Sequence, residues 1–258
     1  MRPAAALAAC ILVAACASTG GSPPSPAVRG YLDAAEIEAL AGGFGPPPLS
    51  PTVWAGDLSP NATRPDRWWL ATAHAELRPP EAAQHFDCAL GTRLAARPRP
   101  ALTRLMNRLL VDSMAVTRRL GELHPRRRPI AVDRTLQPCE RIDPATRDTP
   151  SWPAAGAVAG AAYGEMFAEL APDRADAVRF VGGELGRSRV VCRMNWPRDV
   201  QAGFYVGRRV YAAAHQAPEF QADLEVARAE VAAARAEGLS SPSCAAERRA
   251  LQPRPAAG

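Results

Sequence analysis

The chain has 258 residues, 47% of them apolar and 22% charged, a balance that excludes a disordered or fibrous protein and is enough for one packed domain. All 31 basic residues are arginine and the formal net charge is +5. That charge permits an anionic partner, but the arginines are scattered without interleaved aromatics, so no nucleic-acid surface is expected.

Residues 1–15 combine Arg2 with a short apolar run ending in small residues before Cys16. The run is shorter than the roughly 20 residues a membrane-crossing helix needs, and it reads as an export signal. Val13-Ala14-Ala15-Cys16 resembles the bacterial lipobox. The resemblance implies cleavage before Cys16, lipidation there, and a membrane contact made by the anchor alone. Ala17 after the anchor favours the outer over the inner membrane, with the protein facing the periplasm. Residues 16–30, rich in Ser, Gly and Pro, read as a tether. Residues 31–251 then form a single domain, and 252–258 a tail.

Within the domain, Tyr31 to Leu40 is expected to be a short helix, followed by a Gly/Pro-rich segment from Gly42 to Pro51. Arg67 to Leu77 and Pro80 to about Leu90 are further helices, the second opened by its proline. The strongest period lies in Pro100 to Leu123, where Leu102, Leu105, Met106, Leu109, Leu110, Met114 and Val116 recur mostly at three- and four-residue steps. Pro125 ends that helix. Ile130 to Ser151 reads as a loop carrying Cys139. Pro153 to Leu170 is small and apolar nearly all round, which predicts a buried helix approached closely at its Ala and Gly positions. Asp173 to Gly186 and Pro197 to Ala214 are helices, and Phe220 to Glu237 is one with a solvated, charged face. No sustained period-two alternation occurs, so the fold class is all-α.

Four cysteines remain beyond Cys10 and Cys16: Cys88, Cys139, Cys192 and Cys244. An even number in an exported chain implies two disulfides. Three pairings are open; Cys88 with Cys139 and Cys192 with Cys244 are expected. There is no CxxC and no histidine cluster, so neither a metal nor a cofactor is expected.

The stretch VGGELGRSRVVCRMNWPRDV, from Val181 to Val200, carries the chemistry. Ser188-Arg189 is followed, after five intervening residues, by Asn195 and, after three more, by Asp199. Such spacing brings a guanidinium fork near a polar pair one helical turn apart, a suitable anion site. It resembles the last signature of the class A bacterial non-specific acid phosphatases of the PAP2 (phosphatidic acid phosphatase type 2) superfamily, which reads Ser-Arg, five residues, His, three residues, Asp. The resemblance covers roughly Tyr31 to Leu251, including Phe86 to Gly91, Pro100 to Leu105 and Ala168 to Ala177. It implies a PAP2-like helical bundle.

It also implies roles for three signatures. In Lys, six residues, Arg-Pro, the arginine and proline match Arg128 and Pro129, while Gly121 takes the place of the lysine. In Pro-Ser-Gly-His the chain reads Pro153-Ala154-Ala155-Gly156, so the hydroxyl and the general acid are gone. In the last signature Ser188, Arg189 and Asp199 match, and Asn195 replaces the histidine that attacks phosphorus. An amide is not basic and is a very poor nucleophile; Asp199 then has Asn195 as its expected hydrogen-bond partner. Arg128, Arg189 and Ser188 are the expected ligands of phosphate or a phosphorylated small molecule. Arg128 and Arg189 read equally well as buried ion-pair partners, and the Arg126 to Arg128 run as a solvated loop. The reading is of a degenerate, inactive envelope member of the family. An active phosphatase working through Asp199-activated water is the alternative, as is a subunit that forms homo-oligomers or pairs with an active relative.

Overall fold

The computed structural model describes residues 28–47 and 65–252, and among these no strand occurs. The export signal, Cys16, most of the tether, residues 48–64 and the tail beyond residue 252 lie outside the described residues. In chain order the helices are α1 (Ala34–Gly42), α2 (Pro65–Ala73), a 3-10 turn (Glu81–Phe86) running into α3 (Asp87–Leu90), and α4 (Pro100–Leu123). The short α5 (Pro129–Val132) and α6 (Pro144–Asp148) follow, then α7 (Ala155–Leu170), α8 (Ala175–Val191), α9 (Pro197–Ala214), α10 (Pro218–Ala236) and α11 (Cys244–Leu251). The fold is all-α, as the periodicity predicted. Three helices were not anticipated. α5 and α6 are of four and five residues, each opened by a proline and too short to show a period. α11 is a charged eight-residue helix whose apolar content is mainly alanine.

α7 is the axis of the bundle, and its composition explains why. From Gly156 to Leu170 almost every side chain is buried, with small residues on the faces towards α8 and α9. A Cβ at Gly160 would lie inside contact distance of the Gly182 carbonyl on α8, and one at Gly207 on α9 would collide with the Val158 carbonyl. Backbones this close admit only glycine at the crossing points. Around α7, the amphipathic α4 buries Leu102, Leu105, Met106, Leu109, Val116 and Leu120 against Phe86, Tyr163 and Phe167.

The disulfides pair Cys88 with Cys244 and Cys139 with Cys192, correcting the expected pairing by neighbours in sequence. The reason is topological. α11 returns to pack on α2, which brings Cys244 to Cys88, while the loop between α5 and α6 lies against the end of α8. Long closed loops of this kind restrict the unfolded chain, a contribution of about 2–5 kcal/mol each.

One buried carboxylate ties the N-terminal strip down. Asp112 on α4 accepts from the backbone N–H groups of Tyr31 (2.9 Å) and Leu32 (3.2 Å), and burial lifts its pKa from 3.8 to about 6. A raised carboxyl in the folded state binds its proton more tightly there than in the unfolded chain. The stability this confers is present below about pH 4 and disappears as pH rises through about 6. Denaturant titrations of parent and Asp112→Asn at pH 4 and pH 7 are expected to show the parent losing on the order of 2–3 kcal/mol more than the variant between the two. Parallel losses would remove Asp112 as the cause.

Candidate functional site

Four segments converge at one end of the bundle: the last turn of α8, the first turn of α9, the α4–α5 connection and the strip before α7. Pro197 opens α9 at N1, and Asp199 follows in the first turn, where a carboxylate suits the positive helix end. Asp199 is fully buried. Its Oδ1 accepts from Arg126 Nη1 at 2.8 Å and its Oδ2 from the Ser151 hydroxyl at 2.7 Å. The backbone carbonyl of Asp199 accepts from the Ala154 N–H at 3.0 Å, joining the starts of α9 and α7. Burial raises the Asp199 carboxyl above its ordinary range, against the opposing pull of Ser151 and Arg126.

Asn195 precedes α9 rather than sharing its first turn with Asp199, because Trp196 is the N-cap. It is buried, and its Nδ2 donates to the Ser151 carbonyl at 2.6 Å and more weakly to the Ser151 hydroxyl at 3.3 Å. The expected Asp199–Asn195 hydrogen bond is therefore replaced by a relay in which Ser151 stands between the two. Arg126 and Ser151 are also joined through the backbone, Ser151 N–H donating to the Arg126 carbonyl at 2.7 Å.

The two arginines of the family signatures lie beside this relay. Arg128 donates to the Met194 carbonyl at 2.9 Å and twice to the Thr149 hydroxyl. Burial first, and then the neighbouring positive charge of Arg189, push the Arg128 pKa down to about 10. Arg189 donates from Nη2 to Glu140 Oε1 at 2.6 Å. Ser188 is elsewhere: its fully buried hydroxyl is held by Arg67 Nη1 at 2.9 Å and His74 Nδ1 at 2.8 Å, on the α2 side of α8. Burial keeps the His74 imidazole well below its ordinary pKa, hence neutral.

The two glycines that stand in signature positions are packed against. A Cβ at Gly156 would meet Arg189 Cδ at 2.8 Å and Cγ at 2.9 Å, so the aliphatic stem of Arg189 crosses the place of a side chain there. A Cβ at Gly121 would meet Pro150 Cβ at 3.0 Å. His124, three residues further on, stacks edge-on against Trp152 at 5.5 Å rather than leaning into the arginines.

Chemically, the ensemble offers guanidinium donors and two carboxylates, Asp199 held by Arg126 and Ser151 and Glu140 held by Arg189. The amide nitrogen of Asn195 has no available lone pair. Three participants escaped the sequence reading: Arg126, Ser151 and Glu140. Arg126 was visible only as part of a basic run, Ser151 precedes Trp152-Pro153 without any marked pattern, and Glu140 follows Cys139 in a loop. Among the described residues no group of three His, Cys, Asp or Glu could hold a metal ion.

This is a helical bundle with two part-buried arginine–carboxylate contacts at one end, where the starts of α7 and α9 meet the last turn of α8. The chain belongs to the bacterial class A non-specific acid phosphatase family of the PAP2 superfamily. It is 33% identical over 197 residues to an acid phosphatase of Zymomonas mobilis, covering 74% of each chain. Non-specific acid phosphatases of Providencia stuartii (29% over 168 residues, 65% of this chain and 68% of the relative) and Salmonella typhimurium (28% over 167 residues, 64% and 66%) are also similar. No family model matches the chain.

Proposed function

We propose that this protein is a catalytically degenerate acid-phosphatase-like lipoprotein that does not turn over phosphomonoesters. It retains an anion pocket at Arg128 and Arg189 for phosphate or a phosphorylated small molecule. The observation that carries the reading is Asn195, whose amide stands in the nucleophile's place and donates to the Ser151 carbonyl at 2.6 Å. Without a nucleophilic nitrogen no phosphoenzyme forms. Gly156 removes the proton donor to the leaving group as well, an omission that typically costs about 10²–10⁴-fold in rate. Attachment through Cys16 and a periplasmic, outer-membrane location are part of the same proposal, supported by the Val13-Ala14-Ala15-Cys16 sequence.

The pocket is tested with inorganic phosphate. At ten times its Kd a ligand that binds only the folded state adds about 1.4 kcal/mol, a rise of roughly 3–5 °C in Tm for a domain of this size. The parent is expected to show that rise and an Arg128→Ala/Arg189→Ala variant to lose it. Equal stabilisation of both proteins would remove the pocket.

A further inference from the structure

The charges around Arg189 do not balance locally. Arg126 has Asp199, and Arg189 has Glu140. Arg128, close enough to feel the charge of Arg189, makes hydrogen bonds to neutral oxygens, the Met194 carbonyl and the Thr149 hydroxyl. Three half-buried guanidiniums, Arg126, Arg128 and Arg189, therefore share two carboxylates, Asp199 and Glu140, and Glu140 is more exposed than its partner: its side chain is 26% exposed, that of Arg189 12%.

Glu140 also has an unusual address. It sits on the loop between α5 and α6, next to Cys139, whose disulfide to Cys192 fastens the loop to the C-cap of α8, three residues beyond Arg189. On its outer side Glu140 borders a surface groove of ≈ 670 Å³ shared with Thr72, Ala75, Leu110 and Met114. Glu76 and Arg78 also line the groove, and Arg189 does not, so Glu140 is the part of the pair that the groove reaches.

We infer that Glu140 is a built-in plug: its carboxylate occupies Arg189 as an internal anion, the Cys139–Cys192 disulfide holds it in place, and external oxyanions bind only by displacing it into the groove. The inference rests on the reading of Arg128 and Arg189 as an anion pocket. A carboxylate offers a guanidinium the same pair of acceptor oxygens as one edge of a phosphate. The internal anion competes at high effective concentration, so the apparent affinity for free phosphate is set by the fraction of molecules with the plug withdrawn. Removing the charge while keeping the shape should free the site. Glu140→Gln keeps a side-chain oxygen that can accept from Arg189, and both side chains reach solvent, so the variant is compatible with folding.

The experiment is calorimetric titration of inorganic phosphate into the full-length parent, Glu140→Gln and Glu140→Gln/Arg189→Ala, each checked for an unchanged helical circular dichroism spectrum. The plug predicts a Kd for phosphate at least tenfold lower in Glu140→Gln than in the parent, with the gain abolished in the double variant. Equal affinity in parent and Glu140→Gln, lost on removing Arg189, would overturn the plug and leave the pocket standing. No binding dependent on Arg189 in either protein would overturn both. A Cys139→Ala/Cys192→Ala variant supplies the second reading: releasing the tether should move the phosphate Kd in the same direction as Glu140→Gln, and an unchanged or higher Kd would remove the disulfide from the device.

Discussion

Replacing Asp199 by alanine is expected to lower the stability of the domain by about 3–5 kcal/mol, the usual consequence of removing one partner from a buried charge pair. The carboxylate is fully buried and accepts from both Arg126 and Ser151. Its loss deprives the Ser151 hydroxyl of an acceptor and one arm of the Arg126 guanidinium of its counter-charge, in a place water does not easily reach. Asp199→Asn, which can still accept one of the two bonds, should fall between parent and alanine variant. Urea unfolding checks the order through the midpoint at unchanged slope. A cost below about 1 kcal/mol for the alanine variant would show that the carboxylate is not a pin of the α7–α9 junction. The result bears on function, since a residue retained for this structural reason needs no catalytic one.

Putting histidines back is not expected to bring phosphatase activity back. In Asn195→His/Gly156→His the first new side chain meets an Asp199 already engaged by Arg126 and Ser151, so nothing is free to fix its tautomer. The second new side chain overlaps the stem of Arg189, which would have to leave Glu140. Overpacking of this kind typically costs about 1–3 kcal/mol, and here it moves the arginine the reaction would use. At Gly121 a side chain carrying the missing cation would press on Pro150, 3.0 Å from the position of the first side-chain carbon. The double variant is expected to be less stable than the parent and to hydrolyse an aryl phosphate at the buffer rate. A rate clearly above it would mean that loss of the two histidines alone separates this chain from an active enzyme.

Much of the bundle could be read in the sequence because its helices carry strong local signals. α4 and α9 begin and end where their prolines and periods place them, and the Ala/Gly composition of α7 announced a buried helix with close neighbours. The disulfides were misread because pairing depends on where α11 lands, and eight residues of CAAERRAL hold no signal for that. At the candidate site, the signature positions pointed to Arg128, Arg189, Asn195 and Asp199, which the fold brings to one end of the bundle. Their partners were not legible: Ser151, Arg126 and Glu140 lie 48, 73 and 49 residues from the groups they bind, and nothing local marks such pairs. Ser188 shows the converse, a matching residue type whose hydroxyl points to Arg67 and His74. A motif records which residue stands at a position, while the direction of its side chain is set by tertiary packing.

Absence of phosphomonoester turnover is measured most directly as the hydrolysis rate of an aryl phosphomonoester by the purified full-length chain from acidic to neutral pH. A rate at the buffer background throughout is the expected result. A rate well above background that is lost in Asp199→Ala, with that variant shown to be folded under the assay conditions, would contradict it.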